Sequence, residues 1–197
     1  EAPMKEAILI SACLLGVRCR YDGGSKPVLS VEALMGRYQL VPVCPEQLGG
    51  LPTPREPSER QGDLVVMKSG ADVTAQYQRG AEQALHLARV FGCKKAVLKE
   101  RSPSCGSGEI YDGTFSGKLT PGDGVTAALF KKNGIEVFGE SHVDAIARQY
   151  GIPHTAALPI DRKLAASADK GMIELTNGDW LDEIANAIDQ LQPRPHH

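Results

Sequence analysis

Three cysteines, Cys13, Cys44 and Cys105, each lie in or just after the turn that follows a predicted β-strand. In an open α/β sheet the carboxyl ends of parallel strands share one edge, and ligands bind in the crevice there. Three soft thiolates could therefore meet at one point, which suits an iron–sulfur cluster or zinc. A four-iron cluster held by three thiolates has one iron without a protein ligand. In zinc sites such an open coordination position is typical of a catalytic centre, and by analogy the same is expected here.

The other two cysteines are weaker candidates. Cys19 comes six residues after Cys13 and could be a fourth ligand, although an ordinary thiol is the favoured interpretation. Cys93 lies at the start of a predicted strand, away from the edge that carries the other cysteines. We interpret it as a small buried hydrophobic residue.

Acidic and hydroxyl side chains flank the same turns. Glu46 follows Cys44 by two residues, Ser102 lies in the turn that carries Cys105, and Asp22 comes shortly after the first cysteine. A carboxylate near a bound substrate could deprotonate a water, and a serine could orient that water. These three residues are the predicted catalytic candidates.

Neighbouring features are interpreted as structural. Glu56 and Glu59 are expected to be solvated loop charges or ion-pair partners of Arg55 and Arg60. The glycine-rich run 106–124 could let the backbone approach a bulky cluster, although a flexible loop would account for it as well. The sequence has no G-x-x-x-x-G-K-[ST] and no strand-linked G-x-G-x-x-G, so a loop that binds nucleotide phosphates is not expected.

Alternating strand and helix patterns must position these residues. The sequence predicts strands over residues 6–12, 39–44, 95–99 and 135–138, and helices over 31–36, 74–91 and 125–133. A shaped loop is predicted for the proline-rich segment 45–57, and a small hairpin for 63–74. This order is typical of an α/β fold with an open, mostly parallel, Rossmann-like sheet and helices on both faces.

The helix over 74–91 has the clearest pattern. Thr74 is its predicted N-cap, and Gly92 is predicted to end it. Its predicted core face is an apolar stripe at helical spacing that comprises Ala81, Ala84, Leu85, Ala88 and Phe91.

Composition indicates one soluble domain. The 197 residues are 42% hydrophobic and 23% charged, enough to bury a core. We assign the site to residues 4–140 and a C-terminal helical extension, packed on the same domain, to 141–195.

The net charge of -2 argues against a general nucleic-acid platform. The sequence shows no membrane span and no signal peptide, and its five cysteines lack the spacing of a disulfide framework, which predicts a cytoplasmic protein.

Several stretches together resemble a known family. They are Ser11-Ala-Cys-Leu-Leu-Gly16, Cys19-Arg-Tyr-Asp-Gly23, Val43-Cys-Pro-Glu46, Pro54-Arg-Glu56 and Leu98-Lys-Glu-Arg-Ser-Pro-Ser-Cys-Gly106. Over about residues 5–140 the sequence is similar to DUF523, a former domain-of-unknown-function family that includes bacterial thiouracil desulfidases. The resemblance implies a [4Fe–4S] cluster held by Cys13, Cys44 and Cys105. It also implies a catalytic set that contains Glu46 and Ser102, whereas Asp22 is a separate candidate from the sequence.

The resemblance further implies a non-redox desulfidase reaction. The sulfur of 2-thiouracil would bind the open fourth iron, and a water activated by Glu46 and positioned with Ser102 would attack the carbon. Uracil and hydrosulfide would be released. A thiolated base in tRNA is the alternative substrate, disfavoured by the lack of an interleaved basic and aromatic stretch. Two alternatives to an enzyme are also considered, namely a cluster-based redox or iron sensor and a structural zinc module.

Overall fold

A computed structural model of the protein describes residues 5–28 and 31–142. The strands are β1 (Glu6–Ser11), β2 (Tyr38–Val43), β3 (Ser58–Gln61), β4 (Leu64–Met67), β5 (Lys95–Leu98), β6 (Glu109–Tyr111), β7 (Leu119–Pro121) and β8 (Glu136–Gly139). The α-helices are α1 (Val31–Arg37), α2 (Pro45–Leu48), α3 (Thr74–Val90) and α4 (Val125–Lys132). Two 3-10 turns, Ala12–Leu15 and Glu140–His142, follow β1 and β8.

Strands β2, β1, β5 and β8 form one parallel sheet in that order. Ser11 at the end of β1 lies opposite Val43 at the end of β2, and Leu98 at the end of β5 lies opposite Gly139 of β8. The carboxyl ends of these strands therefore share one edge. The predicted open, parallel α/β sheet is confirmed, and its strands lie close to the predicted ranges.

Both faces of this sheet are buried. Leu9 and Leu98 pack against α3 and α4, in a core cluster whose helix residues are Ala84, Leu85, Ala88, Ala127 and Phe130. Ile10 and Val97 lie next to them along the strands and are also fully buried. Because successive side chains of a strand point to opposite faces, the second face must be covered too, as a parallel sheet requires.

The start of α3 differs from the prediction. Val73 is the N-cap residue and Thr74 is the first residue of the helix. The Thr74 hydroxyl oxygen accepts a hydrogen bond from the Val65 backbone N–H at 2.9 Å. The Asp72 carboxylate accepts the Thr74 N–H at 2.9 Å and satisfies a donor that the helix leaves free. Thr74 thus ties the helix to β4 instead of capping it.

The predicted apolar stripe of α3 is confirmed except at its last position. Its buried members are Ala81, Ala84, Leu85 and Ala88. Phe91 is 46% exposed. The helix ends at Val90 and Phe91 is already the C-cap, followed by Gly92 in the left-handed region at φ 68. Its side chain has therefore left the buried face.

Two hairpins correct the sequence-based expectations. β4 pairs antiparallel with the preceding β3 across a turn at Gly62, which has φ 62. The predicted pairing of β4 with later residues is confirmed in part, by an antiparallel bridge between Val66 and Asp72 and the two backbone hydrogen bonds that flank it. The glycine-rich run contains a second hairpin, β6 with β7, that the sequence pattern did not predict.

The proline-rich segment 45–57 is also more regular than predicted, because it begins with the one-turn helix α2. Pro45 occupies the start of α2, where its missing N–H costs no hydrogen bond. α2 docks on α3 through two glycines: a Cβ on Gly80 would overlap the Pro45 carbonyl oxygen, and one on Gly49 would overlap the Gln76 carbonyl oxygen. Two backbones thereby meet directly, and the turn after β2 is fixed against α3.

The predicted C-terminal helical extension lies outside the described residues, apart from its first two. The proposed boundary near residue 140 therefore stays a prediction. None of the helices described within residues 5–28 and 31–142 combines the length and apolar character needed to cross a membrane.

Candidate active site

A cavity of about 640 Å³ opens at the carboxyl edge of the parallel sheet. Its lining includes a residue at or just past the end of every strand of that sheet, namely Ser11, Val43, Lys99 and Glu140. The sequence-predicted candidates that line it are Cys13, Cys44, Cys105, Glu46 and Ser102, and Cys19 lines it as well. The structure therefore brings together residues that are up to 92 positions apart in the sequence, from Cys13 to Cys105.

Each of the three predicted ligands comes from a different strand end. Cys13 lies in the 3-10 turn after β1, and Cys44 lies between β2 and α2. Cys105 lies in the loop after β5. Cys13 and Cys105 are buried, and Cys44 is half-buried. We refer to these three residues as the thiol set.

Cys19 lies among the thiol set. Its side chain is buried and hydrogen-bonds with those of Cys13 and Cys44. The bond with Cys13, together with burial, raises the pKa of Cys19 to about 11. The Cys44 thiol also lies 3.7 Å from the Cys19 carbonyl oxygen. Cys93, in contrast, is buried in the core cluster and does not line the cavity, in line with its interpretation as a structural residue.

Two members of the thiol set, Cys44 and Cys105, lie in environments that favour the neutral thiol when no metal is bound. Burial raises the pKa of Cys105 to about 12. The hydrogen bond with Cys19, and then burial, raise the pKa of Cys44 above its ordinary value. Thiolate is the form that binds metals, so loading a metal group here would release protons.

Glu46 and Arg55 form a buried ion pair at the cavity. Arg55 Nε donates to Glu46 Oε2 at 2.7 Å, and Arg55 Nη2 lies 2.6 Å from the same oxygen. The Arg55 side chain is only 3% exposed and that of Glu46 13%. Burial acts to lower the pKa of Arg55, but the Glu46 carboxylate outweighs it and the pKa is raised. The same guanidinium donates to the Cys19 carbonyl oxygen at 3.0 Å, which links the acid to the thiols.

Ser102 connects the other carboxylate oxygen to the Cys105 loop. Its hydroxyl donates to Glu46 Oε1 at 3.3 Å. The same hydroxyl oxygen accepts the backbone N–H groups of Ser104 at 3.0 Å and Cys105 at 3.1 Å. Two donors at the oxygen direct its own proton toward Glu46. We call Glu46 and Ser102 the acid–serine pair.

Close backbone packing by glycines supports this loop. A Cβ on Gly124 would overlap the Ser104 carbonyl oxygen, and one on Gly106 would lie 2.7 Å from the Ser102 carbonyl oxygen. Ser104 is fully buried, and its hydroxyl shares a 2.9 Å hydrogen bond with Thr126 on α4. The glycine-rich run thus packs against the Cys105 loop instead of forming a flexible loop.

Two acidic residues, Asp22 and Glu59, behave differently from the expectation. Asp22 does not line the cavity; its carboxylate bonds Arg20 at 3.1 Å and the Gly24 backbone N–H at 2.9 Å. Glu56 is exposed, as expected, but Arg55 pairs with Glu46 and not with Glu56. Glu59 is only 7% exposed and lines the cavity, so its interpretation as a solvated charge is wrong.

Tyr77 of α3 is a lining residue that sequence reasoning missed. It is almost fully buried, and burial, followed by the nearby Glu46 charge, raises the pKa of its hydroxyl. In the sequence it is one more aromatic residue in an amphipathic helix, so its pattern carries no functional signal.

The donor set of the cavity is rich in sulfur. Within residues 5–28 and 31–142, no three His, Cys, Asp or Glu side chains are arranged to hold one metal ion. The mononuclear zinc alternative therefore finds no support in this part of the chain. Thiolates from three separate loops are the ligands that iron–sulfur clusters take, and the thiol set fits such a cluster by its chemistry.

Comparisons with known proteins find matches over most of the chain. A family model described as 2-thiouracil desulfurase matches residues 8–142. The chain is 44% identical over 149 residues to the protein of Bacillus subtilis (strain 168) named "Uncharacterized protein YbbK", covering 71% of this chain and 99% of that protein. It is also 50% identical to a solved structure named "[4Fe-4S]-dependent thiouracil desulfidase TudS", with a TM-score of 0.69 and coverage of 75% of this chain and 99% of the other.

Proposed function

Because this chain belongs to the 2-thiouracil desulfurase family, we propose that it is an iron–sulfur-dependent enzyme that removes sulfur from 2-thiouracil. The products are uracil and hydrosulfide. One observation carries the proposal: the thiol set lines the same cavity as the hydrogen-bonded acid–serine pair. The similar solved structure, named as [4Fe-4S]-dependent, supports the choice of cofactor.

Cys13, Cys44 and Cys105 would hold a [4Fe–4S] cluster. When bound, the cluster supplies a Lewis-acid iron with affinity for the thiocarbonyl sulfur of the substrate. Cys19 stays outside the ligand set in this proposal. Its thiol hydrogen-bonds with Cys13 and Cys44, and its carbonyl oxygen accepts from Arg55, so it positions residues at the site.

Glu46 acts as the general base. Arg55 occupies Oε2 with two nitrogens, which leaves Oε1 facing Ser102. A water that donates a hydrogen bond to Glu46 Oε1 would be held beside Ser102 for attack on C2 of the ring, with the Ser102 hydroxyl fixing the orientation of that oxygen. Glu46 takes a proton from this water as the C–O bond forms, a role in which a positioned carboxylate contributes about 10²- to 10⁴-fold in rate.

The overall change is a hydrolysis. One water adds its oxygen to C2 and the C–S bond breaks, so 2-thiouracil and water give uracil and hydrogen sulfide. The electrons of the broken bond leave with sulfur, and carbon keeps its oxidation state. The proton that Glu46 receives can return to the leaving sulfur or to the ring nitrogen. No external electron donor is needed.

The free base is the proposed substrate, in preference to a thiolated base in tRNA. The cavity volume of about 640 Å³ lies within the range of small-molecule sites, roughly 300–1,000 Å³. The net charge of -2 also gives little general attraction for a polyanion. A cytoplasmic location stays a prediction.

Anaerobic reconstitution with iron and sulfide, followed by an assay of 2-thiouracil, tests the proposal. We expect release of uracil and hydrosulfide in equal amounts, and none from the metal-free protein. A loaded cluster without turnover of the free base would reject this substrate, and thiolated tRNA would then be assayed. A loaded protein inactive on both would favour the sensor alternative, and failure to bind iron would reject the cofactor.

A further inference from the structure

Two carboxylates line the cavity in opposite environments. Glu46 has a guanidinium partner, whereas Glu59 is buried without any cation partner among the described residues. The only hydrogen bond that the described residues donate to the Glu59 carboxylate is the 3.0 Å bond from the Phe115 backbone N–H to Oε2. Its sequence neighbour Arg60 donates instead to the carbonyl oxygens of Asp123 and Gly62.

A buried carboxylate with one hydrogen bond and no cation is unfavourable unless something else binds it. Oε1 of Glu59 receives no hydrogen bond from residues 5–28 or 31–142. The side chain lines the cavity in which substrate would bind. A ligand with an N–H group would supply the missing donor.

Ser58 provides a second, independent observation. It is 9% exposed and lines the same cavity. Its hydroxyl oxygen is buried and, apart from an interaction with the Tyr77 phenol, makes no hydrogen bond with any described residue. Buried hydroxyl groups rarely stay unpaired, so this side chain also lacks a partner that a ligand could provide.

We propose that Glu59 and Ser58 recognise the pyrimidine ring, an inference that rests on the proposed function. Glu59 Oε1 accepts a ring N–H next to the thiocarbonyl carbon, and the Ser58 hydroxyl hydrogen-bonds a second polar group on the ring edge. The thiol set and the acid–serine pair act on the C–S bond, while these two residues select a base with a free N–H.

The test uses Glu59→Gln and Ser58→Ala in the cluster-loaded protein, with Glu56→Gln as the matched control. Glu56 also accepts one backbone N–H, from Ser69 at 3.1 Å, but it is exposed and lies outside the cavity lining. The substrates are 2-thiouracil and its 1-methyl and 3-methyl derivatives. Affinity for the product uracil is measured by anaerobic calorimetry, independently of turnover.

We expect Glu59→Gln to raise KM for 2-thiouracil and weaken uracil binding about 10-fold, with kcat nearly unchanged, because the amide oxygen is an uncharged and weaker acceptor than the carboxylate. Ser58→Ala should raise KM for 2-thiouracil and weaken uracil binding about 2- to 10-fold. Glu56→Gln should change neither KM nor uracil binding. The parent protein should reject one N-methyl derivative, and in Glu59→Gln the preference for 2-thiouracil over that derivative should be smaller. If Glu59→Gln does not fold, the KM and uracil affinity of Ser58→Ala, together with the turnover of the N-methyl derivatives by the parent protein, test the recognition site.

The inference is overturned if the parent accepts both N-methyl derivatives as well as 2-thiouracil, or if Glu59→Gln lowers kcat while KM and uracil affinity stay unchanged. The latter result would mean that Glu59 only supports the Phe115 loop. Failure of the proposed function is distinguishable: a loaded parent that binds uracil through Glu59 but does not turn over 2-thiouracil rejects the reaction and keeps the recognition site.

Discussion

The strand-end turns and the segment 45–60 both line the cavity, but they reach it by different routes. The turns after β1, β2 and β5 deliver the thiol set through sheet topology, because parallel strands end at one edge. The segment delivers Glu46 and Arg55 through contacts between particular side chains, including the bond from Arg55 to the Cys19 carbonyl oxygen. In the proposed function, the first region would hold the metal group and the second would act on the bound substrate.

Cys105→Ala should break the first region alone and cause the largest effect. We expect loss of the cluster and a fall in turnover to the level of the metal-free protein, because two thiolates cannot hold the cluster. Iron and sulfide per chain, with the visible absorbance, measure this. A Cys93→Ala variant is the matched control, since Cys93 is also a buried thiol but lies in the core. A Cys105→Ala protein that kept its full iron content would refute the ligand assignment.

Glu46→Gln should break the second region and leave the first intact. The amide keeps the size of the side chain but cannot take a proton, so kcat should fall about 10²- to 10⁴-fold at full cluster content. Single-turnover release of uracil, normalised to iron, is the measurement. Turnover at the parent rate would remove Glu46 from the mechanism, and loss of iron would show that the two regions are not separable.

Arg55→Lys should produce a smaller change in the same region. Lysine keeps the charge but cannot place two donors on Glu46 Oε2 and a further one on the Cys19 carbonyl oxygen. We expect kcat to fall about 10- to 100-fold, corresponding to the loss of hydrogen bonds between charged groups. KM, iron content and the thermal unfolding midpoint are followed in parallel. A fall in kcat that is fully explained by lost iron would contradict a positioning role.

Cys19→Ala should have the smallest effect on turnover, and it tests whether Cys19 belongs to the ligand set or only supports it. Cys19 bonds Cys13 and Cys44 through its thiol, but its link to Arg55 runs through the backbone carbonyl, which the substitution keeps. We expect a full cluster and turnover within about threefold of the parent, with a stability loss of about 1 kcal/mol from the buried site. Loss of the cluster would mean that four cysteines, and not three, hold it.

The same contrast explains what the sequence could predict. Strand positions and the edge shared by Cys13, Cys44 and Cys105 follow from hydrophobic pattern and strand order, and these predictions agree with the structure. The pairing of Arg55 with Glu46 depends on how a proline-rich loop folds back over the cavity, and no local pattern encodes that. The charge pattern alone allows Glu56 and Glu59 either to be solvated or to pair with Arg55 and Arg60, because neighbouring charges are the simplest partners.

Burial of a charged residue was the hardest feature to predict. Glu59 lies in a run of charged residues, which is typical of solvent-exposed chain, yet β3 carries it into the cavity wall. The longer partner of β4 was missed for a related reason. Gly62 and Gly70 both have positive φ and both lie in turns, and only the folded chain shows that the ladder with β3 is the longer one.

The contact between α2 and α3 has a practical consequence for anyone who engineers this protein for heat resistance. Replacing a glycine inside a helix by alanine is a standard stabilising choice, worth about 1 kcal/mol on propensity alone. Gly80 would be the first candidate in α3 by that rule. Its added methyl group would push Pro45 away and move Cys44 and Glu46 together. A library of variants for thermostability should therefore exclude Gly80 and Gly49, because a side chain at either position would displace the turn after β2 that carries Cys44 and Glu46.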